Sequence, residues 1–285
     1  MEIKSVKLVT FSPTGNSKKI AETVAKATQL PTENLDITKP PQFTKIKEFN
    51  DELTIIASPV YLGRIPHAAA TRIRWLKGNN TPAVLIVTYG NRAYEDALLE
   101  LSDIVSEVGF KPIAAAAFIG EHSWSMIETP TAHGRPDEKD HEKAELFGNS
   151  ILEKCTKAGS IEKLPIVSVP GDNPYSQSLR GGLRRYHLTE LMSPYTNMES
   201  CSRCGSCEEA CPTNAVKLKS VFSNPSPMAS LSAQIVSTNA DDCVWCAACV
   251  KACPTGARVR RPRMMRGSKG LSEENSERKE PVTFI

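Results

Sequence analysis

The sequence lacks the segments that would direct it into or through a membrane. It has no charged N-terminal region followed by an apolar run, and no apolar stretch long enough to span a bilayer. We therefore expect a soluble, cytoplasmic protein. Strong charge is also missing, because 35 Lys and Arg residues against 32 Asp and Glu residues leave a net charge of +3. A balance this small does not by itself indicate binding to nucleic acid or to a membrane surface.

Cysteine is nearly absent from the first 200 residues, where Cys155 stands alone. Cys155 lies near the end of a predicted amphipathic helix, and we interpret it as a buried apolar thiol and not as a nucleophile. The other eight cysteines fall between Cys201 and Cys253. Together with a length of 285 residues, this uneven distribution predicts two domains. In a reducing compartment, clustered cysteines indicate metal binding and not disulfides.

The eight clustered cysteines form two copies of one motif. The copies read Cys201-x-x-Cys204-x-x-Cys207-x-x-x-Cys211-Pro212 and Cys243-x-x-Cys246-x-x-Cys249-x-x-x-Cys253-Pro254. This spacing is the bacterial pattern for two 4Fe-4S clusters, in which the fourth cysteine of each run binds the other cluster. On that rule one cluster is held by Cys201, Cys204, Cys207 and Cys253, and the other by Cys243, Cys246, Cys249 and Cys211. Zinc is the alternative, but structural zinc prefers two separated ligand pairs, and these triplets offer more sulfur than one zinc ion uses.

The first 160 residues alternate between predicted strands and predicted helices. A strand is predicted at Ile3–Phe11, which carries β-branched and apolar residues. Short apolar runs without alternation, typical of strands buried on both faces, occur at Leu53–Ala57, Ala83–Val87 and Ile113–Ile119. The clearest helices are Ala93–Val108 and Asp137–Thr156. Strands that alternate with helices predict right-handed crossovers and a parallel sheet covered on both faces. The predicted fold class is therefore α/β, with a doubly wound parallel sheet.

Ligands of such sheets bind at the carboxyl ends of the strands, where three loops of this chain are expected to meet. The first loop, Ser12–Ser17, offers hydroxyls, an amide and the backbone N–H groups at the start of a helix, which together suit an anion. It lacks the Gly-Lys-Ser/Thr ending of a nucleoside-triphosphate loop, and it lacks Gly-x-Gly-x-x-Gly. A terminal monophosphate is therefore favoured. An ordinary strand-to-helix cap is the alternative interpretation.

The other two loops carry aromatic rings, Tyr61 in Ser58–Pro66 and two tyrosines in Tyr89–Tyr94. A flat heteroaromatic ring can stack on such side chains while backbone amides contact its polar edge. A monophosphate with a stacked ring suggests FMN, although each tyrosine could instead pack under its loop. The predicted cofactor-binding residues are Ser12, Thr14, Gly15, Asn16, Ser17, Pro59, Tyr61, Leu62, Gly63, Tyr89, Gly90, Asn91 and Tyr94.

The Ser-x-Thr-Gly-Asn-Ser turn, the Pro-x-Tyr-x-Gly loop and the Tyr-Gly-Asn-Arg-x-Tyr loop resemble those of flavodoxins. With the cysteine motifs, Gly120–Ser123 and the terminal Arg278–Pro281, nearly the whole chain resembles the flavodoxin/ferredoxin fusion proteins of anaerobic microbes. The resemblance implies a flavodoxin-like FMN domain at 1–160 and a docking segment at 161–197. It further implies a small α+β ferredoxin domain with two 4Fe-4S clusters at 198–260, with an insertion at about 213–240, and a C-terminal tail at 261–285.

Several features have two interpretations. Leu179–Met192 is predicted to form a short docking helix, and Val221–Ile235 an insertion that covers a cluster or contacts the flavin domain. A run of arginines suits a solvated tail or a patch that steers an acidic partner; it comprises Arg258, Arg260, Arg261, Arg263 and Arg266. No catalytic residue is assigned. His122 is a candidate proton donor, but a hydrogen-bonded loop histidine is the preferred interpretation.

The predicted function is electron transfer between two 4Fe-4S clusters and FMN, because a flavin can join one-electron carriers to two-electron chemistry. The expected partner is a ferredoxin or another low-potential redox protein, and a homo-oligomer is possible. One alternative is a flavin-dependent reductase of a small oxidised substrate. Another is a redox-sensing scaffold that grips nucleic acid through its arginines, although no nucleic-acid partner is expected.

Overall fold

The computed structural model describes residues 3–40, 46–176, 188–222 and 232–285. The helices are α1 Asn16–Ala27, α2 His67–Ile73, α3 Ala97–Glu107, α4 Glu138–Ala158, α5 Ser206–Glu209, α6 Ala248–Lys251 and α7 Pro262–Glu274, with a 3-10 helix at Thr189–Met192. The strands are β1 Val6–Thr10, β2 Thr32–Asp36, β3 Lys47–Phe49, β4 Leu53–Pro59, β5 Leu76–Gly78, β6 Thr81–Tyr89, β7 Phe110–Ile119, β8 Tyr195–Thr196, β9 Val216–Phe222, β10 Ser232–Thr238, β11 Arg258–Val259 and β12 Val282–Phe284.

Six strands form the main sheet in the order β12-β7-β6-β4-β1-β2. Five of them are parallel, and only β12 runs antiparallel, on the outer edge of β7. In chain order the parallel strands are arranged second, first, third, fourth and fifth, which is the flavodoxin-like order of a doubly wound sheet. The predicted fold class is therefore confirmed. Every residue of β4 and of β6 is buried, as expected for strands covered on both faces.

Helices cover both faces of this sheet. On one face lie α1 and α4, with Ile20 and Phe147 buried in the same core as Ile55 of β4. On the other face lie α2 and α3, with Leu98 buried in a second core that contains Ile56. Neighbouring residues of β4 thus belong to different cores, because successive side chains of a strand point to opposite faces. This sandwich holds the carboxyl ends of the strands in fixed positions.

The start of α4 is fixed by a reciprocal cap. The Asp137 side chain accepts a hydrogen bond from the Asp140 backbone N–H at 3.2 Å, and the Asp140 carboxylate accepts one from the Asp137 N–H at 2.9 Å. Asp140 is fully buried and also forms an ion pair with the buried Arg135, whose Nε lies 2.8 Å from Oδ2. Arg278, near the C-terminus, pairs with Asp137. A single carboxylate cluster therefore joins α4, the loop before it and the end of the chain.

The two cysteine motifs have similar backbones. Each contains a short helix that carries its third cysteine, Cys207 in α5 and Cys249 in α6. The residue before the second cysteine of each motif is left-handed, with φ of 59° at Arg203 and 58° at Trp245. Gly205 and Ala247, which precede α5 and α6, are also left-handed, with φ of 81° and 55°. An antiparallel β9–β10 pair lies between the motifs, and β8 pairs with β11.

The C-terminal segment differs from the expected solvated tail, because it returns to the first sheet. Its helix α7 contacts the loop after β7, where the Ser268 hydroxyl donates to the Trp124 carbonyl at 2.8 Å. The segment then pairs as β12 with β7, and Phe284 lies opposite Ala115. Between these points the Asn91 amide donates to the carbonyls of residues 275 and 277. The cysteine motifs are therefore attached to the sheet domain through the chain on both sides.

Two expected segments lie partly outside the described residues. Of the helix predicted at Leu179–Met192, the structure describes the end, which forms the 3-10 helix Thr189–Met192. Of the predicted insertion Val221–Ile235, it describes only the ends, which belong to β9 and β10. Within the described residues, the helices are too short or too polar to cross a bilayer.

We expect Arg135→Met to lower the free energy of unfolding by about 3 kcal/mol, because the change leaves the buried Asp140 charge without its main partner. Urea titration followed by far-ultraviolet circular dichroism measures the change. Lys77→Met is the matched control, since Lys77 pairs with Glu48 where both side chains are more than half exposed. Equal losses in the two variants would contradict a structural role for the Arg135–Asp140 pair.

Candidate functional site

A cavity of about 520 Å³ lies at the carboxyl ends of β1, β4, β6 and β7. Its walls combine the loops after these strands with the second cysteine motif and with α7. The predicted cofactor-binding residues that line it are Ser12, Thr14, Asn16, Ser17, Pro59, Tyr61, Leu62, Gly63, Tyr89 and Gly90. The three loops selected from the sequence therefore meet at one site, as the strand topology requires.

Polar side chains of the first loop hold it against the start of α1, β6 and the loop after β7. The Ser12 hydroxyl accepts from the Lys18 N–H at 3.1 Å, and Ser17 shares a 2.6 Å hydrogen bond with Thr88. The Asn16 amide donates to the Glu121 carbonyl at 3.0 Å. Gly15 has a φ of 89°, a left-handed conformation that glycine adopts without strain. Because the first N–H groups of a helix have no partner inside it, the start of α1 suits an anion such as a phosphate.

Three of the predicted cofactor residues are not part of the cavity wall: Gly15, Asn91 and Tyr94. The Asn91 side chain is buried and committed elsewhere, since it bonds the carbonyls of residues 275 and 277 and accepts from the Lys279 N–H. The Tyr94 ring packs edge-on against Tyr89, with 5.5 Å between ring centroids. Tyr94 thus supports a ring of the wall, and Asn91 ties the Tyr89–Tyr94 loop to the C-terminal segment.

His122 lies in the cavity wall beside Gly90, where a Cβ atom would come within 2.2 Å of the imidazole ring. Its Nδ1 accepts a hydrogen bond from the Trp124 N–H at 3.0 Å, so the proton of the neutral ring is on Nε2. Burial, together with the nearby cations Arg92, Lys251 and Arg260, lowers the His122 pKa to about 4. At neutral pH the side chain is therefore an uncharged imidazole whose free N–H is on Nε2.

Tyr61 lies between the cavity and the second cysteine motif. It begins a tight turn, with its N–H donating to the Arg64 carbonyl at 3.0 Å, and its ring packs with Val244, Cys246 and Ala248. Its buried hydroxyl has no hydrogen-bond partner among the described residues. Burial raises the Tyr61 pKa well above its ordinary value, and the nearby Cys246 raises it further. Tyr61 therefore stays a neutral phenol with one donor to offer.

Two cations of the sheet domain bind backbone carbonyls at the end of the first cysteine motif. The Lys39 ammonium donates to the Cys211 carbonyl at 2.7 Å. The buried Arg72 guanidinium donates to the Pro212 carbonyl at 2.7 Å and to the Ile37 carbonyl at 3.0 Å. Charged donors form the stronger kind of hydrogen bond. The fourth cysteine of the first motif is thus attached to the end of β2 and to α2.

The eight clustered cysteines lie in two neighbouring groups. One small cavity of about 20 Å³ is lined by Cys201, Cys204, Cys207 and Cys253. Of the other four, Cys211, Cys243 and Cys249 pack in one cluster, and Cys246 lies near enough for these three to add to the effect of burial in raising its pKa. The first group reaches the surface at the exposed Cys204, whereas three members of the second group are buried.

The donor chemistry of the second group fits an iron–sulfur cluster. Burial raises the pKa of Cys243, Cys246 and Cys249, so these thiols need a bound cation to be thiolates at neutral pH. Within the described ranges, no three Cys, His, Asp or Glu side chains converge on a position for a single metal ion. A cluster does not require such a point, because its four thiolates surround several irons.

Sequence reasoning missed the parts of the cavity wall that come from outside the three loops. They are Trp124, Met192, Val244, Trp245, Arg263, Gly267 and Leu271. Trp245 is the most informative of them, since it lies between Cys243 and Cys246, is buried and lines the cavity. Its carbonyl accepts a hydrogen bond from the Trp124 indole at 2.8 Å. The sequence contained a signal for this residue: the second motif has a tryptophan at the position where the first motif has Arg203.

Comparison with known proteins separates the two halves of the chain. Residues 200–257 match the family model of the 4Fe-4S dicluster domain. The N-terminal half is similar to a flavodoxin from the domain Archaea, with 14% identity over 54% of this chain and 99% of that one, at a TM-score of 0.35. The Fusobacterium nucleatum flavodoxin bound to flavin mononucleotide gives 13% identity, 54% and 98% coverage and a TM-score of 0.35. The rubredoxin oxygen:oxidoreductase of Desulfovibrio gigas gives 10% identity, 54% and 36% coverage and a TM-score of 0.37. No curated protein matches the sequence.

The strand order assigns the first domain to the flavodoxin-like fold, and the family match assigns the second to the dicluster type. The chain therefore combines a flavodoxin-like fold with a segment that matches the 4Fe-4S dicluster domain. More narrowly, it is a fusion of a flavodoxin-like domain with a ferredoxin-like dicluster domain, as the sequence resemblance implied.

We expect His122 to make folding stability depend on pH. The unfolded chain protonates this residue below about its ordinary pKa of 6.5, whereas the folded chain resists until about 4. Its contribution is therefore complete above pH 6.5 and is lost as the pH falls toward 4. Between pH about 7 and about 5.5, wild type should lose about 1 kcal/mol of unfolding free energy more than His122→Gln does. Urea titration of both proteins at both pH values measures the difference, and parallel losses would show that folded His122 is not a neutral buried ring.

Proposed function

We propose that this protein transfers single electrons between two 4Fe-4S clusters and an FMN bound in the cavity, and thereby links a low-potential redox protein to a second partner. The observation that carries the proposal is the shared wall. Val244 and Trp245, which lie between two cysteines of the second motif, line the same cavity as the phosphate-type loop. A ligand in the cavity is then separated from the second sulfur site by side chains of the motif itself.

FMN supplies one-electron and two-electron chemistry at the same ring system. The start of α1 suits its phosphate, with Thr14 and Ser17 in the wall beside it. Tyr89 and Trp245 offer flat apolar surfaces, and the absence of a side chain at Gly90 leaves room for the His122 ring in the wall. The Tyr61 hydroxyl and the His122 Nε2 proton are neutral donors at the same wall. Neutral donors orient a ring without adding charge to a buried site.

The two sulfur sites suit different roles. The first, which includes the exposed Cys204, is accessible to a partner protein. The Ser206 hydroxyl lowers the Cys204 pKa to about 7, which favours the thiolate that a metal requires. The second lies inside, between the first site and the cavity. We therefore place exchange with a redox protein at the first site and exchange with FMN at the second.

A reductase that acts on a small oxidised substrate is the second candidate. The observation that favours it is His122, a neutral imidazole in the wall with its Nε2 proton free of the Trp124 bond. Such a group suits a proton donor to a substrate as well as a hydrogen-bond donor to the flavin. Turnover of a small substrate by the isolated protein, without a partner protein, distinguishes the two functions.

Thr14→Asp should weaken FMN binding by at least about tenfold, because a carboxylate would repel the phosphate at the start of α1. Flavin content after anaerobic purification and the quenching of flavin fluorescence on rebinding measure the loss. Thr32→Asp is the matched control, since Thr32 is exposed on β2 and is not part of the cavity wall. Equal FMN affinity in the two variants would count against the phosphate site.

Cys253→Ser should remove the cluster of the first motif and spare the second cluster, because the crossed pattern assigns Cys253 to the first group. Cys211→Ser should do the reverse. Iron content and the electron paramagnetic resonance spectrum of the reduced protein report which cluster is lost. Cys155→Ser is the control, since this thiol is buried on α4 in the core of the sheet domain. Loss of the second cluster alone in Cys253→Ser would refute the crossed assignment.

A further inference from the structure

Arg258 lies between the two sulfur groups and contacts a cysteine of each. Its Nε donates to Cys249 Sγ at 3.5 Å, and its backbone N–H donates to Cys253 Sγ at 3.4 Å. The rest of the guanidinium donates to hydroxyls, at 2.9 Å to Thr196 and 2.6 Å to Thr238. Arg258 is only 2% exposed, so this cation is buried against sulfur and held in one orientation.

The repeated motif shows that this arginine is not required by the fold. Cys253-Pro-Thr-Gly-Ala-Arg258 corresponds to Cys211-Pro-Thr-Asn-Ala-Val216 in the first copy. Val216 is equally buried and is apolar. The same backbone position thus accepts valine in one half, whereas the other half has a cation there. Since the backbone does not require a charged residue at this position, the charge of Arg258 suggests a role toward the cysteine sulfurs beside it.

The burial of the second cysteine group explains why a positive charge beside it has an effect. Cys211, Cys246 and Cys249 are buried, and thiolates with their cluster form an anionic group that is costly to remove from water. Each added electron increases the negative charge, so burial alone lowers the reduction potential of the site. Hydrogen bonds to sulfur and nearby positive charge act in the opposite direction.

We propose that the Arg258 side chain is a positioning residue that raises the reduction potential of the second cluster and so offsets the effect of its burial. This inference rests on the proposed ligand assignment. The first cluster feels the charge as well, because Arg258 lines its small cavity. Its cysteine ligand Cys253, however, is bonded by the backbone and not by the side chain. The side chain therefore acts more strongly on the second cluster.

The other nearby cations do not have this arrangement. Lys39 and Arg72 donate to the carbonyls of Cys211 and Pro212, and not to sulfur. Arg203, beside the first cluster, is exposed and donates to the Gln234 and Cys201 carbonyls. Because Arg258 raises the reduction potential of the second cluster, that potential is not far below the potential of the first. An electron can then pass from the exposed first cluster through the second toward the cavity.

The test is an anaerobic redox titration of the full-length protein, monitored by electron paramagnetic resonance. Signals are assigned by comparison with Cys253→Ser, which is expected to keep the second cluster alone. Arg258→Val, which installs the residue of the first copy, should shift the reduction equilibrium of the second cluster toward the oxidised form by about tenfold. For one electron this corresponds to about 59 mV. The first cluster should shift by less.

Two further variants separate electrostatics from structure. Arg258→Lys keeps the charge but loses the fork that reaches sulfur and both hydroxyls, so an intermediate shift is expected. Arg203→Val removes an exposed cation beside the first cluster and should leave the second unchanged. A residue that only braces the fold would change stability without moving either potential. Unchanged or equal shifts of the two clusters in Arg258→Val would overturn the inference.

A measurement on the wild-type protein keeps the inference testable if the variants do not assemble. Protein labelled with 15N-arginine and reduced by one electron should show a weak 15N coupling at the second cluster in pulsed electron paramagnetic resonance. The absence of any coupling would overturn the role of Arg258. A wild-type protein with fewer than two clusters would instead overturn the proposed function itself.

Discussion

The second cysteine motif is buried against the carboxyl edge of the sheet, and the arrangement of the molecule depends on that burial. A group of thiolates with iron is anionic, and an anion inside a protein requires cations and hydrogen-bond donors around it. Lys39 and Arg72 come from the sheet domain, and Arg258 comes from the motif itself. Separating the two domains would strip two of these cations from the cysteine loop. The compensation of charge therefore also joins the domains.

The same contact completes the cavity. The loops after the strands form only part of the wall, and Trp245, Met192 and α7 form the rest. These parts are held in place because the chain returns to the sheet after the cysteine motifs, first through Ser268 and then through β12. A ligand in the cavity thus contacts both domains. Retention of the ligand therefore depends on the packing of the two domains against each other. In a free flavodoxin-like domain, ligand retention would not depend on a second domain.

The fold was largely predictable from local pattern. The apolar runs Leu53–Ala57 and Ala83–Val87 lie within strands β4 and β6, and the motif spacing is the basis of the proposed cluster ligands. The burial and the contacts of the arginine run were not predictable in this way. Arg258 is buried beside sulfur, and Arg260 donates at 3.4 Å to backbone carbonyls of the loop after β7. The Arg260 partners are more than 130 residues away, and the burial of Arg258 depends on how the two motifs pack, so nothing in the run itself distinguishes these residues from a solvated tail. Asn91 is a similar case, since its partners lie at the far end of the chain.

The differences between the two copies of the motif carry the information that local patterns lack. The backbones agree, with left-handed residues at Arg203 and at Trp245, so the fold alone does not demand different side chains there. At two positions where the copies differ, the residue of the second copy is buried beside the cavity or beside sulfur. Trp245 lines the cavity while Arg203 is exposed, and Arg258 contacts sulfur while Val216 packs in an apolar cluster. The second copy therefore places an aromatic ring against the cavity and a cation against sulfur, where the first copy has an exposed arginine and a buried valine. Differences in burial, hydrogen bonding and charge of this kind are what separate the potentials of two clusters of the same type.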